Sequence, residues 1–389
     1  MTIQSPGDDS YNGLDKAEET LASRYYFDTA HHERELAAIW YRNWVYLCRA
    51  AALEAPGSYR TFELGTQQIL LLRDEAGALR AFHNTCRHRG SRLCPSASGR
   101  FAAKRIVCPY HRWTYSLQGK LQRTSSLAEP AGFDKADHPL YEVAVAQWGG
   151  FVFVNLAGDG GPSVEESFDR DSARLDHWPL EDLVSVYCYR KVLACNWKIF
   201  WDNFNECLHC PGVHPELCSL VPIYGRAIMA ERDDPRWREH AAEDDPRYRG
   251  GLRPGAATWS TDGQVHSPTF QGLSAEEARD GQTFVTCLPS VFVVAHVDYV
   301  RTVRLRPLGP ERTELLAEWL FPPETVADPA FDPAQAIAFP TLVMEQDARV
   351  CELNQKGLRA LPHERGVLMP EEYVLKRFHD WVRGELERS

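Results

Sequence analysis

The chain has 389 residues, a formal net charge of −11 at pH 7 and eleven cysteines. This length predicts two domains. The acidic charge argues against nucleic acid or an anionic membrane as a partner, because both would require basic patches. The polar N-terminus lacks the basic and apolar segments of a secretory signal, and no apolar run is long enough to span a bilayer. We therefore expect a cytoplasmic protein.

The first 44 residues are predicted to form an arm and a helix that packs on the C-terminal domain. Residues 1–22 are polar and acidic, and we expect them to be disordered or loosely attached. From Asp28 onward apolar residues recur at helical spacing, with Asp28 or Thr29 as the N-cap.

Residues 45–158 contain a series of short strand-like runs and predict a small all-β domain. Two motifs interrupt these runs, Cys86-x-His88 and Cys108-x-x-His111. Each motif turns two metal-ligating side chains toward one point, so the pair of motifs can close on one metal centre.

Two cysteines and two histidines suit two kinds of centre. A tetrahedral zinc ion would take all four ligands. A Rieske [2Fe–2S] cluster would place both thiolates on one iron and both imidazoles on the other. Zinc sites tend to pair Cys with Cys and His with His, whereas each motif here mixes the two, which favours the cluster. The remaining alternative is that these residues only fill a core.

A Gly-rich segment, Gly158–Pro162, is a plausible linker, and residues 163–389 have a different composition. They predict an α+β domain, with an antiparallel sheet and helices near Phe331–Leu358 and Pro370–Leu386. The strand-like runs are VSVYCYRKVLAC, QTFVTCLPSVFVVAHV, YVRTVRLRPLG and RTELLAEWLFP.

A second candidate site contains His209 and His214. On an ideal helix, residues five apart point about 140° away from each other, so their side chains would not converge. Pro211 and Gly212 lie between them, and proline removes a helical hydrogen bond. A break in the helix there would allow both imidazoles to bind one metal ion.

A mononuclear iron centre needs a third ligand. Two imidazoles and a carboxylate on one face of Fe(II) leave positions open for O2 and water. A late helical segment, MEQDARVCELNQ, offers Glu345, Asp347 and Glu352. The residues alone do not select among these three carboxylates.

Taken together, these motifs resemble those of the α subunit of a Rieske non-haem iron oxygenase. The resemblance extends from about Tyr25 to the C-terminus. The resemblance rests on four motifs, which are Cys86-x-His88-Arg89-Gly90, Cys108-Pro-Tyr-His111-x-Trp113, Glu206-x-x-His209-x4-His214 and the Gln346-Asp347 helix. It implies an N-terminal all-β Rieske domain and a C-terminal helix-grip domain in which helices pack on an antiparallel sheet.

The resemblance also implies roles for particular residues. Cys86, His88, Cys108 and His111 would bind the cluster. The third ligand to the mononuclear iron would be Asp347, beside His209 and His214. Glu206 would be the acid that links the cluster of one subunit to the iron of the next, in a homotrimer.

Within the family, the chain looks most like the branch that oxidises glycine betaine, choline and related quaternary ammonium compounds. Two positions depart from common family patterns: Arg112 stands where many members have glycine, and Glu206 where the aromatic-ring dioxygenases have aspartate. A cationic substrate would be bound by aromatic faces. The candidates are Trp201, Phe204, Tyr224, Trp259, Phe284 and Tyr299.

The chain has neither a G-x-G-x-x-G fingerprint nor a plant-type C-x4-C-x2-C spacing. We therefore expect electrons from a separate flavin and iron–sulfur reductase, with NAD(P)H acting only indirectly and O2 as co-substrate. The alternative enzyme is a ring-hydroxylating oxygenase of an aromatic acid. The alternatives that are not enzymes are a Rieske electron carrier and a structural zinc protein.

Overall fold

The computed structural model describes residues 10–158, 160–169 and 171–388. Part of the predicted arm, residues 1–9, and one residue of the predicted linker, Asp159, lie outside the described residues. The chain forms two compact units, one spanning Trp40–Ser167 and the other made of the segments on either side of it. The sequence-based domain limits lie nearby, at 45 and at 158–163. Among the described helices, none is long and apolar enough to cross a membrane.

The described part of the N-terminal arm is well packed. Strand β1 (Glu18–Glu19) pairs antiparallel with Val367–Leu368, and Leu21 is buried. The expectation of a loosely attached arm is therefore wrong for residues 10–22, because this backbone completes a two-stranded ladder. A 3-10 turn precedes helix α1 (Thr29–Glu35).

Helix α1 begins where the sequence predicts. The side chain of Asp28 accepts a hydrogen bond from the backbone N–H of His31 at 2.7 Å, which satisfies one of the free donors of the first turn. The chain continues from α1 as a π-helical turn, Leu36–Trp40.

The unit Trp40–Ser167 is built from short strands, as expected. They form a seven-stranded antiparallel sheet in the order β2-β11-β10-β5-β4-β3-β6 and a three-stranded sheet in the order β7-β8-β9. The strands are β2 (Val45–Arg49), β3 (Ser58–Leu64), β4 (Gln67–Arg73), β5 (Leu79–His83), β6 (Ser98–Arg100), β7 (Arg105–Val107), β8 (Thr114–Ser116), β9 (Leu121–Arg123), β10 (Glu142–Trp148) and β11 (Phe151–Asn155).

The second unit contains the expected antiparallel sheet, in the order β12-β16-β15-β14-β13. One predicted run forms two strands, because Pro289 has no N–H to give to a ladder and the chain turns there. The strands are β12 (Val184–Leu193), β13 (Gln282–Cys287), β14 (Val291–His296), β15 (Val300–Gly309), β16 (Arg312–Phe321) and, outside this sheet, β17 (Val367–Leu368).

Helices of the second unit pack around this sheet. The longest of the described helices, α9 (Ala334–Gly357), has 24 residues. Its Ala336 carbonyl accepts a hydrogen bond from the indole N–H of Trp319, a sheet residue, at 2.9 Å. The helices are α2 (Trp197–Phe204), α3 (Cys210–Val213), α4 (Pro215–Leu220), α5 (Trp237–His240), α6 (Pro246–Arg249), α7 (Ala275–Asp280), α8 (Pro323–Ala327), α9 (Ala334–Gly357) and α10 (Tyr373–Glu387).

Helix α2, which leads into the second candidate site, is held by a buried ion pair. The ammonium of Lys198 lies 2.5 Å from the Glu35 carboxylate of α1, and both side chains are inaccessible to solvent. The indole of Trp197 donates to the same carboxylate at 2.9 Å. Burial disfavours the ionised Glu35, but Lys198 and His31 outweigh burial and lower its pKa. Two buried charges are stable here because each is neutralised by the other.

We expect Glu35→Gln to destabilise the protein strongly, because it leaves the Lys198 ammonium buried without a counter-charge. Breaking a buried ion pair in this way costs about 3–5 kcal/mol. Urea denaturation followed by circular dichroism would measure the loss. The matched control is Glu33→Gln, an exposed position on the same helix. Equal midpoints for the two variants would contradict the role of this pair.

Candidate active site

The four residues of the first motif pair are divided between core and surface. Cys86 and Cys108 belong to the buried apolar core of the first unit. His88 is exposed, and its ring centroid lies 4.6 Å from that of His111. Two buried thiols and two less buried imidazoles are the donor types that would hold a Rieske cluster, which takes two Cys and two His ligands.

Hydrogen bonds shape the two loops that carry these residues. The hydroxyl of Tyr115 lies 3.2 Å from the Cys86 sulfur and accepts the Arg87 backbone N–H at 3.1 Å. The N–H of Arg112 bonds to the Cys108 carbonyl at 3.1 Å. Arg112 has a φ of 60°, in the left-handed region that glycine adopts most readily. Arg112 therefore adopts a turn conformation in which glycine would be less strained.

The second unit brings together His209, His214 and Asp347. Their candidate ligand atoms all lie within 4.8 Å of one another. The carboxylate Oδ1 of Asp347 is 2.8 Å from His214 Nε2 and 3.5 Å from His209 Nε2. Two imidazoles and one carboxylate in this arrangement match the facial set that binds non-haem Fe(II) and leaves positions open.

Each histidine is oriented by a second partner on its other nitrogen. His209 Nδ1 is 2.5 Å from a Glu206 oxygen, and His214 Nδ1 is 2.8 Å from the Gln346 side-chain oxygen. Glu216 in turn accepts from the Gln346 amide at 2.9 Å. Because both Nδ1 atoms are engaged, both Nε2 atoms face the common point. Such outer partners fix the ring orientation and tautomer of metal-binding histidines.

The local backbone explains the convergence, and it differs from the predicted break. Helix α2 ends at Phe204, and His209 immediately precedes α3. Pro211 lies in the first turn of α3, where proline is tolerated. The chain leaves helical geometry at His214 itself, with φ −123° and ψ 65°. The helical turn therefore includes the Pro–Gly pair, and the change of direction comes after it.

The structure also separates the three acids on α9. Glu345 contacts Lys191 and Tyr189 of β12. Glu352 accepts the backbone N–H of Ala194 at 3.0 Å. Asp347 is the acid of the three that faces the histidines, because it lies on a different side of the helix.

Charge at this centre is strongly coupled. Burial disfavours the charged form of His209, but hydrogen bonds to Asp347 and Glu206 outweigh burial and raise its pKa to about 9. Burial would likewise raise the pKa of Asp347, but the two histidines hold that pKa below its ordinary value. The metal-free centre thus holds an ionised carboxylate.

These three residues line one wall of a cavity of ≈ 140 Å³. Of the aromatic residues proposed from sequence, Trp201 and Tyr299 do not line it: Trp201 donates to the Pro289 carbonyl and Tyr299 to the Trp259 carbonyl. The sequence did not predict four other residues of the cavity lining, which are Phe200, Asn203, Phe292 and Arg301. The aromatic residues in the lining are Phe200, Phe204, Tyr224, Trp259, Phe284 and Phe292.

Two cysteines flank His209 and also line the cavity. Cys207 and Cys210 form a disulfide, with Cα atoms 5.0 Å apart. This short-range link was not predicted from the sequence.

Comparisons with known proteins identify the families of two domains in this chain. Residues 43–141 match the Rieske [2Fe-2S] domain, and residues 180–387 match the ring hydroxylating alpha subunit (catalytic domain). The glycine betaine monooxygenase oxygenase subunit of Chromohalobacter salexigens is 30% identical, over 94% of this chain and 85% of that protein. The chloroplastic choline monooxygenase of Beta vulgaris is 27% identical, over 95% and 77%.

A solved structure of the quaternary ammonium Rieske monooxygenase CntA has the same fold, with a TM-score of 0.69, 21% identity and coverage of 94% of this chain and 95% of that one. The two alternatives without catalysis, an electron carrier and a structural zinc protein, are wrong, because the Rieske and catalytic domains are both present. The family implies a separate reductase, a small-molecule substrate and an oligomeric assembly. The chain belongs to the ring-hydroxylating α-subunit family and is a Rieske-type oxygenase, an oxidoreductase.

Proposed function

We propose that the chain is the terminal oxygenase of a monooxygenase that N-demethylates a small quaternary ammonium, betaine-like compound. The observation that carries this proposal is the His209–His214–Asp347 set at the wall of an aromatic-lined cavity. Aromatic faces attract a quaternary cation and cannot be replaced by a simple apolar wall in that role. The relatives named for glycine betaine and choline support the same substrate class.

We assign the ligands from their donor chemistry. Cys86, His88, Cys108 and His111 would hold the [2Fe–2S] cluster, and His209, His214 and Asp347 would hold a mononuclear Fe(II). When bound, the cluster supplies single electrons and the iron activates O2. The chain's own task is to hold both imidazoles by their Nδ1 atoms and to exclude water from the cavity.

The proposed N-demethylation balances in atoms and electrons. One oxygen atom of O2 enters an N-methyl C–H bond and the other leaves as water, with two electrons from the reductase and two protons. The carbinolamine that results breaks its C–N bond and releases formaldehyde, a tertiary amine and a proton. Aromatic side chains such as Phe204 and Phe284 would orient the methyl groups toward the iron-binding wall.

We propose a homotrimer in which Glu206 links the cluster of one subunit to the iron site of the next. In this chain Glu206 already contacts His209, and its side chain is 12% exposed, so one edge remains accessible. We further propose a flavin and iron–sulfur reductase, oxidising NAD(P)H, as the electron donor and the cytoplasm as the location. Sedimentation and cell fractionation would test the assembly and the location.

The substrate class is tested with purified holoenzyme and a compatible reductase. We expect O2 uptake coupled to formaldehyde release with quaternary ammonium compounds and not with benzoate-like acids. Coupled turnover of an aromatic acid alone would favour the alternative ring-hydroxylating function and would contradict this proposal.

We expect wild-type protein purified without oxygen and reduced with dithionite to show a Rieske EPR signal and one iron equivalent beyond those of the cluster. His214→Ala should lose that extra iron and keep the signal, because the two centres have separate ligands. His266→Ala, an exposed histidine outside the cavity lining, is the control. Loss of the Rieske signal in the His214 variant would argue against the assignment.

We expect Glu206→Gln to keep both metals bound and to reduce product formation by about 10- to 100-fold, the loss that is typical when a partner of a metal-binding histidine is removed. The amide retains the shape but not the charge that holds the His209 N–H. Single-turnover reduction of O2 by the pre-reduced protein would separate electron transfer from binding. Glu239→Gln, on the exposed side of α5, is the matched control. Near-normal turnover in the Glu206 variant would refute the proposed link.

A further inference from the structure

Arg301 is an unexpected charge in the wall of the cavity. It lies on β15, directly opposite Val294 of β14, which is itself opposite Phe284 of β13. Directly opposed residues of antiparallel strands project from the same face of the sheet. All three side chains line the cavity, so Arg301 continues a row of apolar side chains.

The guanidinium of Arg301 lacks a protein counter-charge. The residue is 7% exposed. Within the part of the chain that the structure describes, its Nε has no hydrogen-bond partner and no carboxylate forms an ion pair with it. Two other arginines of the same strand do have a counter-charge, because Arg304 and Arg306 each lie 3.2 Å from the Glu314 carboxylate. A buried charge without a close partner is costly, so binding of an anion at Arg301 would lower the free energy of this wall.

The groups around Arg301 do not fill that role. The titratable groups whose charge acts on it are Asp347, Tyr299 and His296. Asp347 is engaged by the two histidines, and the Tyr299 hydroxyl donates to a backbone carbonyl. Burial lowers the pKa of Arg301, with Tyr299 and Asp347 opposing, but an arginine side chain stays charged in proteins. The ring of Phe292, 6.0 Å from the guanidinium carbon, is its aromatic neighbour.

We propose that Arg301 binds a carboxylate of the substrate, so that the substrate is a zwitterion with a quaternary ammonium at one end and a carboxylate at the other. This inference rests on the proposed N-demethylation and narrows its substrate class. The planar guanidinium offers parallel N–H groups that match a carboxylate. With the carboxylate at Arg301, the ammonium lies among the aromatic rings and presents its methyl groups to the wall formed by His209, His214 and Asp347.

The geometry also predicts which compounds are rejected. A purely cationic compound such as choline would leave Arg301 unpaired and would bring a second positive charge into the same small cavity. A site built to bind a polar group discriminates strongly against an analogue that lacks that group. Glycine betaine has the carboxylate that would bind Arg301, and choline has a hydroxyl group in its place.

The test compares formaldehyde release from glycine betaine and choline by wild-type holoenzyme and by Arg301→Met. We expect wild type to favour glycine betaine in kcat/KM by about 100-fold or more, as for a desolvated charge pair. In Arg301→Met this preference should collapse, mainly through a higher KM for glycine betaine. The matched control is Arg306→Met, on the same strand but outside the cavity lining, which should keep the wild-type preference.

A binding measurement keeps the inference testable if a variant folds poorly. The probe is 3,3-dimethylbutyrate, the neutral-carbon isostere of glycine betaine, compared with 3,3-dimethyl-1-butanol by calorimetry on wild-type holoenzyme. We expect the carboxylate to bind and the alcohol to bind far more weakly. Arg301→Lys, which keeps the charge but not the planar fork, should weaken carboxylate binding. Thermal unfolding followed by circular dichroism checks that the second unit of each variant, which contains position 301, is folded.

The outcomes separate the two proposals. Equal use of glycine betaine and choline by wild type, or an unchanged preference in Arg301→Met, would overturn the role of Arg301 and leave N-demethylation standing. Turnover of an aromatic acid alone, abolished by Arg301→Met, would support Arg301 as the carboxylate-binding residue and overturn N-demethylation. Equal binding of the two isosteres to wild type would also overturn the inference.

Discussion

Two imidazoles and one carboxylate must meet at a single point, and much of the second unit is arranged to satisfy that requirement. The three residues come from two distant parts of the chain, so their meeting depends on how those parts pack together. Helix α9 supplies both Asp347 and the Gln346 oxygen that orients His214. The same helix is tied to the start of α2, because Gln355 accepts the Asn196 backbone N–H at 2.8 Å. The arrangement of His209, His214 and Asp347 thus depends on helix packing as well as on the loop.

This packing depends in turn on groups far from the chemistry. Lys198 is buried at the start of α2, and its charge is balanced by Glu35 from the N-terminal segment. The second unit is therefore completed by residues that precede the first unit in the chain. The N-terminal helix, which the sequence predicts to pack on the C-terminal domain, supplies Glu35 to hold the start of α2.

Local patterns predicted the metal-ligating motifs and most of the strands, whereas long-range arrangement did not follow from the sequence. Motifs such as Cys108-x-x-His111 carry their geometry in a few residues. The choice among three acids of α9 depends on which side of the helix faces the loop, and residue types alone do not reveal it. Trp201 and Phe200 are neighbours on α2, and the direction of α2 decides which of them lines the cavity.

Arg301 shows the same limit more sharply. In the sequence Arg301 belongs to the strand-like run YVRTVRLRPLG, which contains two other arginines, Arg304 and Arg306. Nothing in this pattern distinguishes Arg301 from them. The sheet buries both faces of β15, and Glu314 lies within reach of Arg304 and Arg306 but not of Arg301. Arg301 differs from Arg304 and Arg306 in having no ion-pair partner among the described residues, and this difference is visible only in three dimensions.

The disulfide between Cys207 and Cys210 bears on metal selectivity. Two free thiols beside His209 would offer sulfur donors, and thiolates favour zinc and copper over ferrous iron. Sulfur atoms bonded to each other have no thiolate to donate, so at this end of the cavity the nitrogen and oxygen atoms of His209, His214 and Asp347 are left to compete for the ion. The disulfide would thus leave the proposed iron site with nitrogen and oxygen donors only.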